Sequence, residues 1–316
     1  MCDETTEAEN ELYLRRRELG VGAGAVAATL LTGCKPNTNP GGEATQVETP
    51  ATDAGVATPS GPGEGAEPAQ AAPVGRRVEI ETPDGTAEGF FVAPQGGKHP
   101  AVLIWPDIAG LRPAFEAMAT RLAGEGYAVL AVNQYYRSSK LPILERFDQW
   151  RTDEGQAKIR PMIEPLTPAA ISSDGAAFVK WLDQQPEVDT GKRVGTTGYC
   201  MGGPFTFRTA AAVPERVGVL GSFHGGGLVT DAPDSPHRLF AAMKAAALIC
   251  VAHNDDERQP EAKTILKEAA REAGRNAEVE VYPAQHGWCV TDSPVYDEAQ
   301  AERAWGRLLA TLARDL

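Results

Sequence analysis

The residues best suited to chemistry are a cysteine, an aspartate and a histidine, each placed just after a separate apolar run. Gly198-Tyr199-Cys200-Met201-Gly202-Gly203 follows the run Arg193 to Thr197 and opens a helical pattern. That strand, turn and helix context is the one a nucleophile elbow requires, here with Cys in place of Ser. The glycines have a steric purpose, because the turn strains the backbone of the nucleophile and brings strand and helix so close that side chains would clash. A helix N-terminus behind Cys200 lowers a thiol pKa, and the Met201 N–H points toward a developing oxyanion. A buried cysteine in a tight turn would leave the same six residues, so the motif needs partners.

The partners occur in the order nucleophile, acid, histidine that this type of hydrolase uses. His253-Asn254-Asp255-Asp256 follows the run Ala246 to Ala252, and Pro283-Ala284-Gln285-His286-Gly287-Trp288 follows Ala277 to Tyr282. His286 is placed to take the thiol proton and return it to the leaving group, while a carboxylate sets its tautomer. Counting from the strand selects Asp255, whereas counting back from Pro260 selects Asp256. Asp255 is preferred, because buried packing holds strand register and loops absorb insertions. His224 ends another run on the same face; it is either a substrate contact or a packed histidine bonded to nearby backbone.

Elements that must hold these residues are legible around them. Arg77 to Glu81 and Ala87 to Ala93 flank Pro83-Asp84-Gly85 and read as an antiparallel hairpin. Ala101 to Trp105 is wholly apolar, as a strand buried on both faces would be. Beyond it alternate a helix (Arg112 to Gly126), a strand (Ala128 to Val132), a helix (Ala169 to Gln185), the strand before Cys200 and a helix (Gly203 to Ala212). Strands Val217 to Phe223 and Ala246 to Ala252, a helix (Glu261 to Ala273), strand Ala277 to Tyr282 and a helix (Ala299 to Leu312) complete the series. The alternation predicts an α/β fold with a doubly wound, mostly parallel sheet, whose active site lies at the carboxyl ends of the strands.

These residues resemble the dienelactone hydrolase family, α/β-hydrolases with a Cys-His-Asp triad. The resemblance covers about Val78 to Leu312 and rests on the Gly-Tyr-Cys-Met-Gly-Gly elbow, the aspartate loop and Tyr282-Pro283-x-x-His286-Gly287. Ser222-Phe223-His224-Gly225-Gly226-Gly227-Leu228 and His286-Gly287-Trp288 are similar to those of particular members. The resemblance implies hydrolysis of small esters or lactones without a cofactor, and a second oxyanion N–H at Ile108. A family glutamate that latches the resting thiol corresponds here to Asp107, one methylene shorter, which either latches Cys200 or caps the next turn. An arginine that clamps substrate carboxylate corresponds to Val290. Arg137 is either its replacement or a surface charge.

Two other readings of the chain stand beside this one: an exported binding protein on a hydrolase fold without turnover, and a peptidase-like acyl hydrolase. Among His99, His224, His237, His253 and His286 no short-spaced pair occurs, nor Cys-x-x-Cys or His-Glu-x-x-His. No metal is therefore expected.

The first 75 residues differ from the rest of the 316. Arg15-Arg16-Arg17, the small and apolar run Val21 to Gly33, and Cys34 suggest a twin-arginine export signal over 1–34, the run being too short to span a bilayer. Leu31-Thr32-Gly33-Cys34 resembles a bacterial lipobox, implying cleavage before Cys34, lipidation of its sulfur and a periplasmic or cell-surface lipoprotein. Asp3, Glu4, Glu7, Glu9 and Glu11 are atypical of such a leader. Residues 35–75 hold 7 Gly and 7 Pro with no aromatic, Leu, Ile or Met, the composition of a solvated spacer. Residues 76–316 form the expected domain. More than half of the net charge of -13 precedes it, since 1–34 hold 3 basic and 6 acidic residues and 35–75 hold 1 and 5. That acidity, with no basic run longer than three arginines, argues against a nucleic-acid partner.

Overall fold

The computed structural model describes residues 4–18 and 73–316. The run Val21 to Gly33, Cys34 and nearly all of the spacer lie outside the described residues, and the export and lipidation expectations lie there with them. Helix α1 (Glu4–Glu18) comes first, followed after the undescribed stretch by β1 (Arg76–Thr82) and β2 (Gly85–Val92). These pair antiparallel from Arg76 opposite Phe91 to Thr82 opposite Gly85, so the turn sits where Pro83 and Asp84 predict it.

Next come β3 (Ala101–Trp105), α2 (Pro113–Gly124), β4 (Ala128–Val132), α3 (Phe147–Trp150), α4 (Asp153–Ile163) and α5 (Pro168–Leu182). They lead to β5 (Val194–Tyr199), α6 (Gly202–Ala212), β6 (Val217–Phe223), β7 (Ala246–Ala252), α7 (His253–Arg258), α8 (Ala262–Glu272), β8 (Ala277–Tyr282) and α9 (Glu298–Asp315). The sheet order is β1-β2-β4-β3-β5-β6-β7-β8, with β2 antiparallel to both neighbours and the rest parallel.

Burial explains this layering. β3 through β7 carry apolar or small side chains on both faces, and helices cover each face in turn. Phe115 and Leu122 of α2 pack with Trp305, Leu308 and Leu312 of α9 on one side. Phe178 and Leu182 of α5 pack with Phe205 and Phe207 of α6 on the other. Each such side chain contributes roughly 1.5–3 kcal/mol by leaving water.

Some elements differ from expectation, each for a local reason. β5 runs two residues beyond Thr197 because Gly198 and Tyr199 pair with Ser222 and Phe223 of β6. The residues after β7 form the short helix α7 instead of a loop, and α3 and α4 were not expected, α4 carrying Pro161 inside it. Helix α1 was unforeseen as well, since its charged residues leave no apolar stripe to announce it.

Candidate active site

The carboxyl ends of β3, β5, β6, β7 and β8 deliver Asp107, Cys200, His224, Asp255 and His286 to one edge of the sheet. The elbow between β5 and α6 is the tightest of these turns. Cys200 has φ +52°, a left-handed conformation that a non-glycine residue adopts only under constraint. A Cβ on Gly198 would lie 2.0 Å from the Gly202 carbonyl oxygen, and one on Gly202 would lie 2.3 Å from that of Trp105. Both glycines are therefore obligatory for the turn, and the second also seats the loop after β3 against the elbow.

The structure brings the histidine and one aspartate together. His286 Nδ1 stands 2.7 Å from Asp255 Oδ2, and Asn254 Oδ1 accepts the His286 backbone N–H at 2.9 Å. Arg258 bonds the other oxygen of Asp255. Asp256 instead faces Lys263, at 2.6 and 2.8 Å, which separates the two carboxylates left open by counting. Burial would push His286 down, but the Asp255 carboxylate and the Cys200 sulfur outweigh it and hold the imidazole up at about 10. Burial raises Asp255 in turn, yet His286 and Arg258 more than offset this and keep it below its ordinary value. The arrangement favours a protonated His286 beside Cys200.

His224 is the other non-glycine residue with positive φ among the described residues, at +41°. Its Nδ1 accepts the Cys200 backbone N–H at 3.1 Å, a proton that Phe223 O also attracts at 3.0 Å. An accepting Nδ1 places the ring proton on Nε2. The ring packs 4.9 Å from that of His286 and 5.1 Å from Trp288, and burial, followed by the charge on His286, pushes its pKa down to about 3. His224 thus answers to the packed, backbone-bonded alternative and stays neutral.

Two expectations need correction. Asp107 does not stand free for the thiol: Arg112 donates to its two oxygens at 2.7 and 2.9 Å, and the Ala109 N–H donates to Oδ1 at 2.9 Å. Its carboxylate caps the turn and neutralises a buried arginine. Arg137 is no substrate clamp either, since it donates to both oxygens of buried Asp174 at 2.7 Å and to Asp84 at 2.6 and 3.0 Å. It ties the β1–β2 turn to α5. Val290, at the family arginine position, is buried.

Arg112 is the residue that sequence reasoning passed over. All five of its N–H groups are used: besides Asp107, it donates to Asp292 at 2.8 Å from Nε and from Nη2, and to Gly110 O at 3.1 Å. Burial opposes its charge, but the two carboxylates hold its pKa above the ordinary value. Its placement five residues after Asp107 was the available signal. Gln134 donates to Asp107 O at 2.7 Å and Tyr135 to Ile108 O at 2.8 Å, so the segment carrying the Ile108 N–H is clamped from three directions. Arg112→Met should cost about 3–5 kcal/mol by leaving Asp107 buried and unpaired. A urea midpoint unchanged from wild type would contradict that ion-pair account.

Among the described residues no group of three or more His, Cys, Asp or Glu side chains could hold a metal ion. Cys250 and Cys289 are free thiols, and burial pushes both above their ordinary value.

A mostly parallel, doubly wound sheet with an antiparallel leading hairpin and a strained residue at the β5–α6 turn is the α/β-hydrolase fold. The dienelactone hydrolase family model matches residues 87–316, and the chain belongs to that family. A Methylorubrum extorquens protein, provisionally named a carboxymethylenebutenolidase, is 29% identical over 238 residues, covering 73% of this chain and 78% of that one. Carboxymethylenebutenolidase 1 of Cupriavidus pinatubonensis is 26% identical over 239 residues, 75% of this chain and 95% of its own. A Klebsiella pneumoniae crystal structure, provisionally named a dienelactone hydrolase, superposes with a TM-score of 0.66 at 22% identity, over 77% of this chain and all of that one.

Proposed function

We propose that this protein hydrolyses small, uncharged carboxylic esters or lactones through Cys200, His286 and Asp255. The reading rests on one observation above others: a strained cysteine on the elbow shares a buried site with a histidine whose far nitrogen is bonded to a carboxylate. The Cys200 thiolate attacks the carbonyl carbon, and the Met201 and Ile108 N–H groups stabilise the oxyanion, each such donor being worth about 10²–10³ in rate. Collapse expels an alkoxide that takes the His286 proton. Neutral His286 then removes a proton from water as its oxygen attacks the thioester carbonyl, and the carbon–sulfur bond breaks to release the acid and restore the Cys200 thiolate beside protonated His286.

The substrate class follows from the arginines. With Arg137 committed to Asp84 and Asp174 and an apolar side chain at Val290, neither position offers a cation for a substrate carboxylate. Simple p-nitrophenyl esters and neutral lactones should therefore be turned over faster than dienelactone, which bears a carboxylate. A screen in which none of the three is hydrolysed would reject the enzyme reading.

The same proposal makes the protein an exported lipoprotein, supported by the arginines, apolar run and Leu31-Thr32-Gly33-Cys34 motif of the sequence. Cys34→Ala should move it from the membrane fraction to the soluble one on cell fractionation. Retention in the membrane would contradict lipidation at Cys34.

A further inference from the structure

One of the acidic residues ahead of the arginines, Glu9, finds a use in the fold. Helix α1 lies against the two loops that hold Asp255 and His286 through Thr6, Glu9 and Asn10, which are spaced i, i+3, i+4 and so share one face. Asn10 Nδ2 donates to the His286 carbonyl at 2.9 Å, Asn254 Nδ2 donates to Glu9 Oε2 at 3.1 Å, and Arg258 Nη1 donates to Thr6 Oγ1 at 2.6 Å. Thr6 is 0% exposed and Asn10 4%, whereas Leu12 is 50% exposed. Every group these residues grip is one bond from the proposed machinery. Arg258 also holds Asp255, Asn254 also holds the His286 N–H, and the third anchor is the His286 carbonyl itself.

The position of the helix matters as much as its bonds. Arg258 lines the cleft that runs from Gly227 and Leu228 to Asp255, so α1 is bonded to one residue of that cleft's wall. Cys200 and His286 are each 1% exposed in this arrangement. The contact is also of a releasable kind. Among the described side chains of α1 none belongs to either apolar core, and the anchoring is polar, made of these hydrogen bonds and the Arg258–Glu9 ion pair at 3.8 Å.

We propose that residues Glu4–Glu18 are a built-in cover for the active site, docked in cis on Asn254, Arg258 and the His286 carbonyl, so that the hydrolase is held closed until this segment is removed. The proposal rests on the hydrolase reading of the same site. Cleavage ahead of Cys34 would remove the cover together with the leader, which couples activity to processing.

The test uses the full chain with a specific protease recognition sequence inserted within residues 35–72. Turnover of p-nitrophenyl acetate and the rate of Cys200 alkylation by iodoacetamide, read by peptide mapping, are followed before and after cutting and removal of the N-terminal piece. Both should rise by about tenfold or more on cutting, the factor by which a mostly closed population masks the open one. In the uncut chain, Glu9→Ala with Asn10→Ala should raise both part of the way. A synthetic peptide of residues 4–18 added to the cut protein should lower them again. Equal alkylation and equal turnover before and after cutting would overturn the cover. Faster alkylation without any ester turnover would leave the cover standing and reject the hydrolase reading instead.

Discussion

Cys200→Ala is expected to lower kcat/KM for p-nitrophenyl acetate by about 10⁴-fold or more, since a nucleophile's loss leaves only binding and oxyanion stabilisation. The change should leave the fold intact. Cys200 already occupies the left-handed region at φ +52°, so alanine inherits the same backbone strain and removes one buried sulfur atom. A thermal midpoint within a few degrees of wild type, together with lost turnover, would separate chemistry from folding. Cys200→Ser provides the sharper contrast. A serine needs a neutral imidazole to deprotonate it, but the Asp255 carboxylate favours the protonated ring, so serine should restore little of the rate. Turnover in the alanine variant comparable to wild type would mean that the elbow cysteine is only a small buried residue in a tight turn.

Much of this site was legible because its residues sit at points where chain geometry is dictated locally. Gly198 and Gly202 mark the elbow before any coordinates exist, and the packed structure explains why, with carbonyl oxygens 2.0 and 2.3 Å from where their Cβ atoms would be. Asp255 was separable from Asp256 by strand register, because β7 is buried and pairs in step with β8 through Ala252 opposite Tyr282. Arg112 and Arg137 went the other way. A sequence shows that a charge exists but not which carboxylates meet it: Arg112 meets Asp292, 180 positions away, as well as Asp107, and Arg137 meets Asp174, 37 positions away, as well as Asp84. Asp107 was left open between a thiol latch and a turn cap for the same reason: the sequence does not show that Arg112, five residues on, takes its carboxylate. Helix α1 was opaque because polar contacts at i, i+3 and i+4 leave no hydrophobic period to detect.

Asp255→Asn should lower turnover at pH 7 by about 10²–10⁴-fold and also change the shape of the pH profile. In the wild type, Asp255 and the Cys200 sulfur hold the His286 proton up to about 10, so the rate should stay level through neutral pH and fall as that proton is lost. Asparagine keeps the shape of the contact but removes the charge, and the alkaline limb should move to lower pH. Stability carries the same signature with a definite sign. His286, raised when folded, contributes fully below its unfolded value of 6.5, and this is lost as pH rises through about 10. Asp255, lowered when folded, contributes above its ordinary 3.8 and loses this as pH falls through its lowered value. The pair is therefore worth most between pH 3.8 and 6.5, and the decline in urea midpoint above that window should flatten in Asp255→Asn. Asp256→Asn is the matched control, because its carboxylate meets Lys263 and not His286. If the two asparagine variants lost activity equally, or if the alkaline limb stayed in place in Asp255→Asn, the charge that sets His286 would have to lie elsewhere.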